Sequence, residues 1–432
     1  MERINELISD PDRCRRTGER VRRLVQFEYT WEKPAENVPD YMQHNMSDLY
    51  TGRERHPRIC FVAHNAYGAL AGVDTGHIGG IERQQSLMAK SLAKRGYHIT
   101  MLTWDEGQDD GIDVDGVRVF KMCRKEAGLK GLRFLYPKWT SLCRAMRRAN
   151  ADIYYYNCGD LGLGQIAMWC RRHRRKCVYS VASDPACDRR LPALKPLRER
   201  VLYRYGLKHS DAVIVQTRRQ QQMLREGFGI EPTIIPMPCE APGNNDDILP
   251  ERTLEESPHV LWVGRISEEK RFAWLLDVAE RCPQITFHVA GASNNDSDYA
   301  LAQMERAAGI PNVKMHGRVP HSEIAKYYRR SSVLCCTSAY EGFPNSFLEA
   351  WSLGIPVIST FDPDGVIVIN GLGFTAADVD GIVARLREIT ESPATWLKAS
   401  TAAKRYYQEN HTIEVCLPKF ERLFLEVAGN RS

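Results

Sequence analysis

The sequence predicts an α/β protein of two Rossmann-like domains facing a central cleft, with an extra helical segment at the N-terminus. Three observations carry that prediction. Apolar strand-like runs alternate with amphipathic, helix-period stretches, and the alternation starts afresh near residue 259. Between the two series lies "IIPMPCEAPGNNDDILPERTLEESP", rich in Pro, Gly, Asn and acid, as linkers are. A chain of 432 residues also exceeds what one hydrophobic core usually holds together.

The first series opens with "RICFVAHNA" (Arg58–Ala66), a strand that runs into a Gly-containing loop. The helical stretch "GIERQQSLMAKSLAKRG" follows and stops at Gly96, a residue suited to the left-handed turn that ends a helix. "YHITMLTWD", "ADIYYYNCG", "KCVYSVASD" and "DAVIVQT" read as further buried strands with helices between them. The second series runs from "HVLWVGR" (His259–Arg265) through "ITFHVAG", "NVKMHG", "SVLCCTS" and "PVIST". Each series implies a doubly wound parallel sheet.

Residues 1–50 stand outside this scheme and read as a charged, helical extension. Shifted by 382 positions, they lie without gaps on Leu386–Phe424. Glu6, Pro11, Arg23, Gln26, Thr30 and Glu32 then meet Glu388, Pro393, Arg405, Gln408, Thr412 and Glu414. That register suggests a copy, or a remnant, of the closing helices of a similar module, broken near Pro11 and Thr30.

Composition narrows the class. With 43% hydrophobic and 26% charged residues, the chain reads as an ordinary globular protein. No apolar run approaches the roughly 20 residues that span a bilayer. "MERINELISDPDRCRR" lacks a signal-peptide core. The 13 cysteines include no CxxC, which argues against a zinc ribbon or a disulfide framework and for a reducing, cytoplasmic setting. Between Lys121 and Lys208, 21 Lys/Arg face 6 Asp/Glu. Such a region attracts phosphates, nucleic acid or an anionic membrane surface, or is simply a solvated face.

Four features of chemical interest converge. Gly264 and Arg265, with Lys270 in "VGRISEEKR", follow the first strand of the second half, where open α/β sheets bind ligands. Arg265 and Lys270 suit a diphosphate there, one as a planar fork and one as a point charge. Glu341 closes the strand "SVLCCTSAYE" and precedes the loop Gly342, Phe343, Pro344, Asn345, Ser346, which opens a helix and offers free N–H groups to an anion or a sugar hydroxyl. Glu349, about two turns into that helix, could accept from a ribose diol, and Gly354 ends the helix. In the first half, Gly79 and Gly80 precede a helix, where bare backbone can approach a phosphate.

The E-x7-E spacing from Glu341 to Glu349, with "GR…EEK" upstream and "SLGIPVIST" downstream, resembles the retaining glycosyltransferases of the GT-B fold, family-4 type. The likeness covers roughly Arg58 to Phe424. It implies an acceptor-side domain over 51–240, completed by a terminal helix at 408–432, and a nucleotide-sugar domain over 241–407. It implies that Arg265 and Lys270 neutralise the diphosphate, that Glu341 contacts the transferred sugar and Glu349 the ribose. Gly79 and Gly80 would belong to a phosphate and acceptor loop, and base contacts are expected around Gly317, Arg318 and Val319. The donor would be a UDP- or GDP-sugar with no metal or other cofactor required, and the acceptor a glycan or lipid-linked hydroxyl.

Two departures stand out. Many relatives carry a histidine near the reacting sugar; here Ser183 and Asp184 occupy the region, and His64 is either a substitute or an ordinary loop histidine. "FDPDGVIV" replaces the usual glycine pair after "PVIST", so Asp362 and Asp364 touch the donor sugar or shape a turn. "DVD" (Asp113–Asp115) resembles a metal motif of another glycosyltransferase fold, but reads better as a hairpin turn.

Rival readings exist. "GLGQIA" (Gly162–Ala167), with Asp184 twenty residues beyond Gly164, matches a dinucleotide fingerprint and alone would suggest an NAD enzyme. It leaves Arg265, Lys270, Glu341 and Glu349 unexplained. Specific nucleic-acid binding lacks a recognition motif. The same fold with other chemistry, such as a sugar-phosphate synthase, a phosphorylase or an inactive homologue, stays open. Finally, Gly128–Ala151 reads in its C-terminal part as a basic amphipathic helix, either docking peripherally on the inner face of a membrane or packed on the sheet.

Overall fold

The computed structural model describes residues 56–75, 79–129, 132–243, 258–293 and 297–429. The helical extension of residues 1–50 and its likeness to the C-terminal stretch lie outside the described residues, as does most of the linker.

The first half builds one sheet from β1 (Ile59–Val62), β2 (Ile99–Thr103), β3 (Ile112–Val114), β4 (Val117–Lys121), β5 (Ile153–Tyr156), β6 (Lys176–Ser180), β7 (Ala212–Val215) and β8 (Thr233–Ile234). Their order is β3-β4-β2-β1-β5-β6-β7-β8, parallel except for β3. The second half pairs β9 (His259–Val263), β10 (Thr286–Ala290), β11 (Val313–Met315), β12 (Val333–Cys336), β13 (Val357–Ser359) and β14 (Gly373–Thr375) in the order β11-β10-β9-β12-β13-β14, all parallel. The central strands β1, β5 and β12 are buried along their whole length. Continuous apolar runs such as ICFV fit that position, because helices cover both faces of a parallel sheet.

In each sheet the strand order reverses once, between β1 and β5 and between β9 and β12. Ligand crevices of open α/β sheets form outside the carboxyl ends of strands at such a reversal. Topology therefore marks the loops after β9 and β12, and those after β1 and β5.

Helices end where the glycines stand. Helix α1 (Gly80–Lys94) is closed by Gly96 at φ +87°, and Tyr97 N–H reaches back to Leu92 O. The "DVD" stretch is a hairpin turn: Asp115 and Gly116 both have positive φ between antiparallel β3 and β4, and Asp113 accepts from Gly116 N–H at 3.0 Å.

The "GLGQIA" glycines serve packing. In α3 (Gly162–Arg172), a Cβ on Gly164 would lie 2.2 Å from Leu202 O of α4 (Leu197–His209), so the glycine lets two helices touch. Asp160 already caps the helix start, accepting from Gly162 N–H at 2.7 Å.

Helix α2 (Thr140–Ala149) buries Leu142, Ala145 and Met146 against the first sheet. The amphipathic stretch expected at a membrane is thus, in this part, a core-facing helix. A π-helical segment, Phe134–Trp139, precedes it and leaves Leu135 and Tyr136 exposed. Among the described residues no helix is long and apolar enough to cross a membrane.

The chain closes by crossing back. Helix α6 (Ile413–Gly429) lays Phe420 and Phe424 edge-on against Tyr155 of β5. Three bonds between described residues hold the crossing: Tyr407 Oη donates to Cys239 O at 2.7 Å, Cys239 N–H donates to His411 O at 3.0 Å, and His411 Nδ1 lies 3.0 Å from Met237 O.

Candidate functional site

The loops after β9 and β12 are tied together by backbone. Ala339 N–H donates to Glu269 O at 2.8 Å, and Thr337 Oγ1 donates to Lys270 O at 2.7 Å while accepting from Trp262 Nε1 at 3.1 Å. This stitching holds the short helical turn Glu268–Lys270 against residues 337–341. Lys270 Nζ then meets Glu341 Oε1 in a close ion pair, and Ser338 Oγ donates to the same oxygen at 2.7 Å. Arg265 lies further out, paired with Glu269 at 3.2 Å. Strand β12 ends at Cys336, so Glu341 sits five residues past it in a loop rather than closing the strand. The distinction matters, because a loop can follow a bound ligand and a strand end cannot.

Helix α5 (Asn345–Ser352) starts after Pro344 with no side-chain cap, leaving its N-terminal N–H groups to the cleft; Ser346 is half-buried in its first turn. Glu349 is the fifth residue of this eight-residue helix, nearer the start than expected. It is 3% exposed, with Oε1 accepting from Arg83 Nη2 at 2.5 Å and Oε2 from Tyr328 Oη at 2.7 Å. Next to it, Asn345 Oδ1 accepts from Gln84 Nε2 at 2.5 Å. Arg83 and Gln84 belong to α1 of the first half, directly after the Gly79–Gly80 pair. Neither they nor Tyr328 was expected from the sequence.

The glycines bring the halves together. A Cβ on Gly80 would fall 1.8 Å from Asn345 Nδ2. One on Gly342 would fall 2.7 Å from Ala182 O and 3.1 Å from Ser183 Cα, both on the loop after β6. Gly79 is the extended residue preceding α1. Asp184, in this loop, is buried, accepts from Gln220 Nε2 at 3.1 Å and pairs with Arg219 at 3.3 Å. Burial pushes its carboxyl above the usual range; Gln220 and Arg219 oppose this, and the charges of Asp364 and Glu341 add to it. Ser183 and Asp184 therefore face Glu341 across the cleft.

Asp362 and Asp364 shape the backbone. Asp362 caps the short helix Val366–Asn370, accepting from Ile367 and Val368 N–H. Asp364 reaches into the first half and accepts from Arg218 N–H at 2.5 Å and Arg219 N–H at 3.1 Å, capping Arg218–Phe228 from outside. Gly317 has φ +62°, Arg318 Nη2 lies 3.3 Å from Asp74 of the first half, and Val319 packs against the core around Trp351. Phe343 leans on His411 and meets Trp351 edge-on. His64 stands apart from this cluster, stacked on Trp104 at 4.7 Å with Tyr156 at its edge. Burial lowers its pKa, against the pull of Asp160.

His411 gives the junction a pH dependence. Burial pushes its pKa down to about 4, and the bond to Met237 O opposes this only in part. His288, lying 3.0 Å from His259 and 2.9 Å from His316, is also pushed down to about 4, first by burial and then by the neighbouring histidines. An unfolded chain takes up these protons near pH 6.5, before the folded chain does. Stability is thus complete above about pH 6.5 and falls as pH drops toward 4. Melting curves at pH 7 and pH 4.5 should show a lower midpoint in acid, with a smaller difference in His411→Gln; an equal difference would remove His411 from this account.

Comparison with known proteins accords with this geometry. Residues 257–392 match the family model "Glycosyl transferases group 1", and residues 79–238 match "Glycosyl transferase 4-like domain". A Haemophilus influenzae protein described as an uncharacterized glycosyltransferase is 22% identical over 363 residues, covering 81% of this chain and 97% of its own. Sucrose-phosphate synthase from Thermosynechococcus elongatus superposes with TM-score 0.70 at 19% identity, covering 86% of this chain and 99% of that one. Anabaena HepE, solved with UDP-glucose, gives 0.67 at 15% identity, covering 86% and 100%. The fold is GT-B, two Rossmann-like domains with parallel sheets. Each half of the chain thus matches a glycosyltransferase family model.

Proposed function

We propose that this chain is a retaining glycosyltransferase that moves a hexose from a UDP- or GDP-sugar to a hydroxyl acceptor in polysaccharide, glycolipid or cell-surface glycan synthesis. The observation that carries this reading is the Lys270–Glu341 pair held at the strand-order reversal of the second sheet. A departing nucleoside diphosphate develops negative charge, and Lys270, with Arg265 further out, is the preorganised cation that stabilises it. Glu341 is already engaged by Lys270 and Ser338, which suits a ligand for sugar hydroxyls better than a nucleophile. The leaving phosphate can take the acceptor proton, so no separate base is needed.

Glu349 serves the ribose. Tyr328, on its own half, fixes one carboxylate oxygen, while Arg83 holds the other from across the cleft. A ribose diol reaches Glu349 when Arg83 moves away with α1. Gly79 and Gly80 belong to the loop on the phosphate and acceptor side, and Phe343 to Ser346 with Gly264 line the donor side. The residues at 317–319 supply base contacts. Ser183 and Asp184 lie on the acceptor side, facing Glu341.

Thermal shift across a panel of UDP- and GDP-sugars tests this assignment. One nucleotide class should raise the melting temperature of the wild type, and Glu341→Ala and Glu349→Ala should weaken binding about tenfold or more, the scale of one lost charged hydrogen bond. A shift of equal size in both variants would contradict the site; no shift with any donor would contradict the activity.

A further inference from the structure

The first half contains a cavity of about 490 Å3 that the donor chemistry leaves unused. His64, Trp104, Met122 and Asp160, which line it, follow the carboxyl ends of β1, β2, β4 and β5. It therefore sits at the other strand-order reversal, the place where a doubly wound sheet receives a ligand. Residues 133–138 and the start of α4 close it.

Its walls combine aromatic faces with cations. Lys138 Nζ lies 5.1 Å from the Trp104 ring centroid, and the Arg198 guanidinium 4.6 Å from that of Phe134. Arg133 completes the group, and among the described residues none of the three has a carboxylate partner. Two carboxylates also line the cavity. Asp160 is committed to Tyr156 Oη at 2.6 Å and to the start of α3, and Glu199 sits in the first turn of α4. Burial and then the neighbouring Arg133 lower the Lys138 pKa, and the charge of Glu126 opposes them only in part.

The two segments that close this cavity also carry exposed apolar side chains. Leu129, Leu132 and Tyr136 are 76%, 62% and 73% exposed, and Leu197 and Val201 on α4 are 75% and 55% exposed. The Arg198–Phe134 stack joins the two segments, and Leu132 and Leu197 directly precede the lining residues Arg133 and Arg198. Exposed apolar side chains grouped beside a basic cavity mark a surface that meets a partner with an anionic head and an apolar body.

We infer that this cavity receives the phosphate-bearing headgroup of an amphiphilic acceptor, whose hydrocarbon portion rests on the rim formed by Leu129, Leu132, Tyr136, Leu197 and Val201. The word acceptor rests on the glycosyl-transfer reading; the binding itself does not. The docking surface is the segment before α2 together with the start of α4, not the basic face of α2, where Arg148 is occupied by Asp110.

Titration with octyl phosphate and with glycerol phosphate, followed by tryptophan fluorescence, tests this. Octyl phosphate should bind at least tenfold more tightly than glycerol phosphate. Lys138→Gln/Arg198→Gln should weaken both at least tenfold, whereas Leu132→Ser/Leu197→Ser, both exposed positions, should remove only the advantage of the octyl chain. Equal binding of the two probes would overturn the amphiphile in favour of a free phosphate compound. Absence of binding, or binding untouched by the Lys138/Arg198 change, would overturn the site. Nucleotide-sugar thermal shifts on the same proteins separate the two failures: a donor shift without phosphate binding defeats this inference alone, and phosphate binding without a donor shift defeats the transfer reading alone.

Discussion

Lys270→Ala should lower kcat about 100- to 1000-fold, the range found when one preorganised group facing developing charge is removed. The geometry makes two losses coincide. The leaving diphosphate loses its nearest fixed cation, and Glu341 loses the positive charge beside Oε1. An uncompensated carboxylate next to a departing phosphate repels it. Lys270→Arg should restore activity poorly, because a planar fork does not occupy the place of a compact ammonium set against Glu341 Oε1. Combining Lys270→Ala with Glu341→Ala should cost less than the sum of the two in free energy, since the pair acts as a unit. Steady-state kinetics checks all three, and a Lys270→Ala enzyme within threefold of wild type would remove Lys270 from the chemistry.

Gly342→Ala should be nearly as damaging, for a steric reason. The added methyl would press on Ala182 O and Ser183 Cα, which are backbone atoms of the opposite half and cannot swing aside. The halves must then part, taking Ser183 and Asp184 away from Glu341. A loss of about 100-fold or more in kcat is expected, the scale on which small misplacements of reacting groups are felt. The melting temperature should change little, because each half keeps its own core. Gly80→Ala offers the contrast. There the clash is with the Asn345 amide, a side-chain end that can turn away, at the expense of its bond to Gln84. One such bond is worth about 1 kcal/mol, so about a fivefold effect is expected. Equal effects of the two glycine changes would argue against a closed working form.

Much of this architecture was legible in the sequence because it is written in local patterns. Continuous apolar runs such as "ICFV" and "IYYY" mark parallel strands covered on both faces, and Gly96 marks a helix end by its backbone freedom. The restart at His259 gave the second sheet, and its first strand led to Arg265 and Lys270. Contacts between distant segments were not legible. Arg83 and Gln84 lie in the first turn of a helix, where polar residues ordinarily face water, and nothing near them in sequence indicates that Glu349 and Asn345 lie opposite. Tyr328 is hidden for the same reason. Asp364 reads as a turn residue because its helix-capping contact is 146 positions away in sequence. The amphipathic pattern of α2 was real, but a pattern gives a face and not what covers it; here the sheet does.

The central claim is glycosyl transfer with retained configuration at the Lys270–Glu341 site. Proton NMR of the anomeric signal tests it most directly, following an α-linked nucleotide sugar of the class selected by thermal shift as the wild-type protein turns it over. The expected first product is the α-anomer, whether the sugar passes to an acceptor or to water, with its formation all but lost in Lys270→Ala. An initial β-product, or an α-product formed equally fast without Lys270, would contradict the account.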